Sequence, residues 1–243
     1  MARKSHIDDI LEKWPYEPNS VSVRIVPGRD GRDVIQMRIE MGLLQLEIEG
    51  RPDGDRPGGF DTYFAYLQNQ CSENPAMQMT EEQCSEADRE FVQFYHRRIC
   101  WLAIREFENA MRDADHTLGL MDFCQKHSPD ENWTMTHEQY RPFVLFHRTQ
   151  AATLCALAED NAEAAIEAVN QGLQQLHTLF RSFESEEFDE NELVMRLVEL
   201  RESVREKFSV GRTLEEQLGD AIASEQYELA AQLRDQLADR RNR

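Results

Sequence analysis

The sequence predicts an α+β fold in which helices predominate. A stretch within the first fifty residues alternates apolar and polar residues with a period of two, which is the pattern of half-buried antiparallel strands. From Thr80 onwards the apolar residues recur at helical spacing, and signals for helix starts separate the segments. Since two or three strands are not stable alone, we expect helices to pack against one face of a small sheet.

Residues 1–79 are predicted to form a small α+β unit. A short helix, Ile7 to Trp14, ends before Pro15. An antiparallel hairpin follows, and its alternation reverses phase at Gly42: odd positions point inward before this glycine and even positions after it. A β-bulge or a tight turn at Gly42 would produce this reversal. The strand residues that point inward are Val21, Val23, Ile25, Ile35, Met37, Ile39, Met41, Leu44, Leu46 and Ile48.

The glycine-rich stretch from Arg51 to Gly59 is interpreted as a connector. It lacks the G-K-[S/T] sequence of a phosphate-binding loop, and its aspartates would repel phosphate. A short helix is expected after it, with Phe60, Tyr63 and Leu67 on one face together with Phe64.

Residues 80–183 are predicted to be a helical domain. Thr80-x-x-Gln83 and Thr136-x-x-Gln139 fit the capping-box pattern of helix starts. We expect a long helical segment over 81–126 with one break near Gly119, followed by a loop to Met135. A helix over 137–158 should come next, and then a further helix over 161–180 that Asp160 caps. Residues 184–212 are predicted to contain an acidic hinge, 184–192, and a connecting helix.

The segment 149–177 resembles a tetratricopeptide repeat. Thr153 and Ala165 fall at the small-residue positions of the two helices of such a repeat, followed by Val169 and Gly172. Small residues at these positions let two antiparallel helices approach closely. The aromatic and proline landmarks of the repeat are missing, so a generic helical hairpin is an equal alternative.

Residues 213–243 are predicted to form a hairpin of two helices. Thr213-x-x-Glu216 is a capping box, and an apolar stripe follows it on the first helix. Ser224 is expected to cap the second helix after a minimal turn. Arg234 and Asp235 are adjacent and so do not face each other on a helix, and each is expected to reach a different partner.

This hairpin closely resembles the UVR motif at the ends of the excision-nuclease subunits UvrB and UvrC. The motif's leucine pair, Ala-Ile, Glu-x-Tyr-Glu, Ala-Ala and Leu-Arg-Asp are matched by Leu214, Leu218, Ala221, Ile222, Glu225, Tyr227, Glu228, Ala230, Ala231, Leu233, Arg234 and Asp235. The resemblance implies an antiparallel helical hairpin that binds another UVR hairpin, in the same or in a partner protein. The helicase and nuclease motifs of UvrB and UvrC are absent from the sequence, and so are the metal-binding cysteine pairs of the UVR-containing activator of bacterial protein arginine kinase.

A physical argument also indicates a partner. Two helices of fewer than thirty residues together fall below the roughly 40 residues at which a fold usually becomes self-sufficient. Their apolar surface must be covered by the rest of the chain or by another molecule. The residues predicted to bind a protein partner are Leu214, Leu218, Ile222, Tyr227, Ala230, Ala231, Leu233, Arg234, Asp235 and Leu237.

Composition restricts the other possible partners. The chain has 243 residues, and its 46 acidic residues exceed its 27 Lys and Arg residues to give a formal charge of −19. Such a charge repels phosphate, and the sequence has no basic cluster beyond Arg240, Arg241 and Arg243, which suit a helix C-terminus. No stretch of eighteen apolar residues occurs. We therefore expect no direct contact with nucleic acid or with a membrane.

Five cysteines, an odd number at wide spacing without C-x-x-C, indicate neither a disulfide framework nor a zinc site. With no apolar signal-peptide core at the N-terminus, we expect a cytoplasmic protein. Asp113-x-x-His116 and the pair His147 and Cys155 are the candidates for chemistry, but packing and satisfied hydrogen bonds explain such residues more simply. We expect no cofactor, no metal and no enzyme activity.

The expected function is that of a protein-interaction adaptor or regulator, which acts through the C-terminal hairpin and for which a second copy of the chain is one candidate partner. Two alternatives stay open. One is an accessory factor of nucleotide-excision repair that acts through UvrB or UvrC. The other is an enzyme of unknown reaction with a site between the β unit and the helices.

Overall fold

A three-stranded antiparallel sheet and a series of helices make up residues 6–183 and 188–241, which the computed structural model describes with side chains up to Asp239. Helices predominate, which confirms the predicted fold class. The strands are β1 (Val23–Pro27), β2 (Asp33–Ile39) and β3 (Gly42–Glu47). The helices are α1 (Ile7–Leu11), α2 (Tyr63–Glu73), α3 (Glu81–Ala103), α4 (Phe107–His127), α5 (Glu131–Glu138), α6 (Arg141–Ala158), α7 (Ala162–Ser182), α8 (Glu192–Phe208), α9 (Leu214–Ala223) and α10 (Tyr227–Arg241).

The chain divides into two compact units, an N-terminal unit, Met1–His147, and a C-terminal unit, Arg148–Arg243. The finer division made from the sequence stays a prediction. Part of the predicted acidic hinge, 184–187, and the side chains of Arg240, Arg241 and Arg243 lie outside the described residues.

The register of the sheet explains the phase reversal at Gly42. The strands are ordered β1-β2-β3, and Ile35 pairs with Ile25 on one side and with Leu46 on the other. Glu40 and Met41 form a two-residue turn, after which Ile39 pairs with Gly42. Odd positions of β2 therefore lie opposite even positions of β3, which confirms the tight-turn interpretation. The predicted inward orientation is wrong for Val21, Ile25 and Met41, which are 45%, 42% and 92% exposed; Met41 lies in the turn itself.

Helices α2, α3 and α4 form the main core of the N-terminal unit. Tyr63 and Leu67 of α2 are buried, which confirms the apolar face predicted for this helix. Thr80 starts α3 with the predicted capping box. The core consists of Tyr63, Leu67, Met79, Cys84, Ala87, Phe91, Ala114, Leu120, Met121, Phe123, Cys124 and Val144.

Buried ion pairs join α3 to α4, and their residues also bind the backbone of neighbouring segments. Arg97 donates two hydrogen bonds of 2.8 Å to the carboxylate of Asp113, and its Nη1 donates to the carbonyl of Gly50 at 2.8 Å. The carboxylate of Glu90 accepts hydrogen bonds from the backbone N–H of Tyr63 at 2.6 Å and lies 2.9 Å from Nε2 of His116. Asp113 and His116 are thus each engaged by a residue of α3.

The helix break in the segment 81–126 lies elsewhere than predicted. It falls at Arg105, which has a left-handed φ of 66°, and the N–H of Glu106 donates to the carbonyl of Trp101 at 2.9 Å. The predicted break near Gly119 is wrong, because α4 runs through this residue. A Cβ at Gly119 would lie 2.9 Å from the ring of Phe64, so close packing explains the glycine.

Two other helix starts predicted from the sequence are wrong. Thr136 lies inside α5, which starts earlier because the side chain of Asp130 accepts a hydrogen bond from the N–H of Asn132 at 2.8 Å. Asp160 has a left-handed φ of 57° and precedes the true N-cap of α7, Asn161. In each case a competing polar residue nearby satisfies the first N–H groups of the helix.

The small residues that the sequence places at a helix crossing lie between α7 and the part of α6 that belongs to the C-terminal unit. Thr153, Ala165 and Val169 are fully buried, and a Cβ on Gly172 would come within 2.7 Å of the Cβ of Thr149. A close helix crossing is therefore present, while the likeness to a tetratricopeptide repeat stays a prediction. Helices α7 and α8 pack around Ala165, Ile166 and Val204.

None of the helices in the described part of the chain combines the length and the apolar composition that a membrane crossing requires.

Candidate functional site

The C-terminal hairpin begins with the predicted capping box. The Thr213 side chain accepts a hydrogen bond from the N–H of Glu216 at 3.3 Å, and the Glu216 carboxylate accepts one from the N–H of Thr213 at 2.8 Å. Two of the N–H groups that a helix start leaves without partners are satisfied in this way. The acidic first turn of α9 also suits the positive end of the helix dipole.

The turn between α9 and α10 is a Schellman motif. Ser224 is the C-cap of α9, so its predicted role as the N-cap of the second helix is wrong. Glu225 adopts a left-handed φ of 57°, and its N–H donates to the carbonyl of Ile222 at 3.1 Å. The N–H of Gln226 donates to the carbonyl of Ala221 at 2.8 Å. These two hydrogen bonds reverse the chain and set α10 against α9.

The apolar residues on the inner side of the hairpin pack against one another. Ala221, Ala230 and Leu233 are buried, with Leu214 and Leu218 packed against them. The two alanines keep the helices close together, because a methyl group allows a short distance between backbones. The hairpin therefore has a core of its own, although a small one.

Polar contacts anchor the hairpin to α7 and α8. The Glu216 carboxylate accepts a hydrogen bond from Asn170 Nδ2 at 3.0 Å and pairs with Arg205, while Arg201 donates to Asn170 Oδ1 at 3.0 Å. Partial burial acts to raise the pKa of Glu216, but hydrogen bonds from Thr213 and Asn170 and the charge of Arg205 hold it below its ordinary value. This anchor leaves the apolar residues near the turn uncovered.

Three large apolar side chains at the turn end are exposed to solvent. Ile222 is 55% exposed, Tyr227 68% and Leu229 44%. We call these three residues the tip. Tyr227 and Leu229 line a shallow depression together with Gln226 and Gln232. Exposed apolar side chains mark a binding surface where they form one contiguous patch.

The surface around the tip is acidic. Residues 212–239 contain seven acidic and two basic residues. Both basic residues are already paired, Arg212 with Asp220 and Arg234 with Asp235. In the second pair, 3.1 Å separates Nη2 of Arg234 from Oδ1 of Asp235. The prediction that Arg234 and Asp235 reach different partners is therefore wrong: the long arginine side chain bends back to its neighbour.

Residues 212–239 match the family model described as the UvrB/uvrC motif. The chain contains a UVR motif. This motif is known from UvrB and UvrC and mediates protein interaction. No curated protein and no solved structure matches the chain. The match covers the hairpin and leaves the N-terminal unit without an assigned family.

The UVR hairpin places its predicted partner-binding residues in three different environments. Those that fill or cover its own core are Leu214, Leu218, Ala230 and Leu233. Those with exposed side chains are Ile222, Tyr227, Ala231, Arg234 and Asp235, while Leu237 is half-buried. The first group maintains the hairpin, and the second is available to a partner. Their assignment to a partner interface stays a prediction.

Leu229 is part of the tip but was not among the residues predicted from the sequence. It lies two residues after Tyr227 and so on another side of α10, one turn before the buried Leu233. The exposure of a leucine cannot be read from helical spacing alone when the helix is as polar as this one. The sequence does contain one signal for this residue, since a large apolar side chain stands close to an aromatic one at the start of a helix.

Proposed function

We propose that this protein is a non-catalytic adaptor that binds a protein partner through the tip of its UVR hairpin. One observation carries the proposal: the hairpin fills its own core and anchors itself through Glu216, yet Ile222, Tyr227 and Leu229 stay exposed. Burying a large apolar side chain contributes about 1.5–3 kcal/mol. A partner that covers the tip gains the part of this energy that belongs to the exposed 44–68% of each side chain.

The charge of the hairpin indicates the chemistry of the partner. An acidic rim around an apolar centre favours a partner with an apolar helical surface and Lys or Arg at its edge. A second copy of the same hairpin would bring like charges together. We therefore propose a different protein with a basic rim, whose apolar contact is either another UVR hairpin or an unrelated helical surface.

The N-terminal unit supports a structural interpretation of its ionisable residues. Asp113 and His116, which the sequence singles out for possible chemistry, are engaged by Arg97 and Glu90. His147 faces the guanidinium of Arg98, with 3.4 Å between Nδ1 and Nε. Groups that satisfy each other in this way hold a core together.

Affinity capture with matched variants of the full chain tests the proposal. Tyr227→Asp places a charge in the tip, whereas Met195→Asp makes the same kind of change at a residue of α8 that is 45% exposed. We expect the wild type and Met195→Asp to capture the same partners and Tyr227→Asp to lose them. The captured complex should also weaken as salt is raised. If Tyr227→Asp retains every partner, the tip is not the binding surface.

A second candidate function is supported by the family match alone. The description of the motif names UvrB and UvrC, so an accessory role in excision repair through one of them is a specific alternative. Purified UvrB and UvrC should each be tested against the full chain by a direct binding assay. Binding that Tyr227→Asp abolishes would identify the partner, and no binding to either subunit would exclude this role while leaving the adaptor proposal standing.

A further inference from the structure

A cysteine and a histidine that are far apart in sequence meet at the edge of the N-terminal unit. Cys71 lies near the end of α2, and His127 is the last residue of α4. Sγ of Cys71 lies 3.5 Å from Nε2 of His127. Both side chains are half-buried, and each has an exposed sequence neighbour, Ser72 and Lys126. Part of the surface of each of the two side chains is therefore open to solvent.

The other nitrogen of the imidazole determines how the pair is protonated. Nδ1 of His127 lies 3.0 Å from the carbonyl oxygen of Met77. A carbonyl only accepts hydrogen bonds, so Nδ1 carries the proton. In the neutral ring Nε2 then has a free electron pair, and this pair is directed at the thiol of Cys71.

A thiol, a base and a group that orients the base are the three parts of an activated nucleophile. Here they are Cys71, His127 and the carbonyl of Met77. His127 is the last residue of α4, so the helix holds its imidazole in place. The packing of its ring against Phe123, with 4.4 Å between ring centroids, fixes its orientation further.

Three other cysteines lack these features. Cys84, Cys100 and Cys124 are buried, and burial raises the pKa of both Cys100 and Cys124 to about 12. Cys155 is half-buried like Cys71. Cys71 thus combines a half-buried position with a histidine nitrogen 3.5 Å from its sulfur, unlike the three buried cysteines.

We propose that Cys71 is a site of reversible modification by low-molecular-weight disulfides, with His127 as its base. His127 Nε2 takes the thiol proton, and the thiolate attacks one sulfur of the disulfide R–S–S–R. A bond forms between Cys71 Sγ and that sulfur while the original S–S bond breaks. The released thiolate takes the proton back from the imidazolium and leaves as R–SH. The reaction is stoichiometric, needs no other reactant, and does not depend on the proposed adaptor function.

The test uses the full chain and oxidised glutathione at neutral pH, with modification at each cysteine followed by peptide mass mapping. We expect Cys71 to be modified at least about tenfold faster than the buried Cys124, and His127→Gln to slow the reaction at Cys71 by about tenfold or more. The matched control is His137→Gln, which removes a partly buried histidine that pairs with Asp88 instead of a thiol. This control should leave the rate at Cys71 unchanged.

Equal rates at Cys71 and Cys124 would overturn the proposal, and so would a His127→Gln variant that reacts as fast as the wild type. A variant that loses its fold would expose all five cysteines, so circular dichroism must accompany the rates. A measurement on the wild-type protein does not depend on any variant: nitrogen-15 NMR of the histidine side chains should show His127 with its proton on Nδ1. A proton on Nε2 would also overturn the proposal.

Discussion

Truncating Leu233 to alanine should unfold the UVR hairpin and leave the rest of the protein folded. Leu233 is only 4% exposed and packs in a core made of the hairpin's own residues. Leu233→Ala removes three buried carbon atoms at about 0.8 kcal/mol each, and the cavity adds to this loss, for a cost of roughly 2–4 kcal/mol. Two short helices with so small a core have little stability to spare.

Leu229→Ala is the matched control, since it makes the same change four residues earlier on the same helix, at a side chain that is 44% exposed. We expect it to change stability by less than about 0.5 kcal/mol and to weaken partner binding by more than about 1 kcal/mol. Hydrogen exchange of the backbone amides separates the two effects. Leu233→Ala should remove protection from α9 and α10 but not from α7. Unchanged protection in α9 and α10 would refute the claim that this cluster holds the hairpin.

Three further predictions concern the fold. Gly172→Ala should destabilise the protein by about 1–3 kcal/mol in urea unfolding, because its new methyl group would overlap Thr149. Gly219 in α9 has open space around it, so Gly219→Ala should instead stabilise the protein by up to about 1 kcal/mol. Burial and the charge of Arg98 lower the pKa of His147 to about 4. As the pH falls, this histidine is therefore protonated in the unfolded state before it is protonated in the folded state. Up to about 3 kcal/mol of the free energy of unfolding should be lost between about pH 6.5 and 4. His147→Gln should lose less stability over the same pH range. Glu225→Gly should stabilise the hairpin by up to about 1 kcal/mol in thermal unfolding, because glycine adopts a left-handed conformation without strain; a loss of stability there would contradict the Schellman turn.

Local signals in the sequence predicted much of the fold. The phase of the apolar alternation located the turn before Gly42, and the capping boxes at Thr80 and Thr213 located the starts of α3 and α9. These features depend on residues within four positions of one another, so the sequence contains the whole interaction. The resemblance to the UVR motif succeeded for the same reason, since the hairpin is a short continuous segment.

Helix ends without glycine or proline were harder to predict. Arg105, Asp160 and Glu225 each hold a left-handed conformation at a helix C-terminus, and none of them is the glycine that this position usually carries. Hydrogen bonds to the carbonyls of Trp101, Ala156 and Ala221 stabilise the turns. The cost of the strained residue is offset by contacts that form only after the helices meet.

Long-range contacts could not be predicted from one sequence. The ion pair between Arg97 and Asp113 needs the relative position of two helices, and the approach of Cys71 to His127 joins residues on two elements. Exposure of the tip likewise depends on which faces the rest of the chain covers. Residue spacing within a segment carries no information on any of these three features.

Site-specific photocrosslinking tests the central claim most directly. Tyr227 is replaced by the photoreactive benzoylphenylalanine in the full chain, and the same residue is placed at Met195 as a control, since both positions are exposed. Irradiation in the native host should give a discrete adduct with one partner protein from position 227 only, and Ile222→Asp should abolish it. If position 227 gives no adduct, or the same adducts as position 195, the tip is not a docking surface.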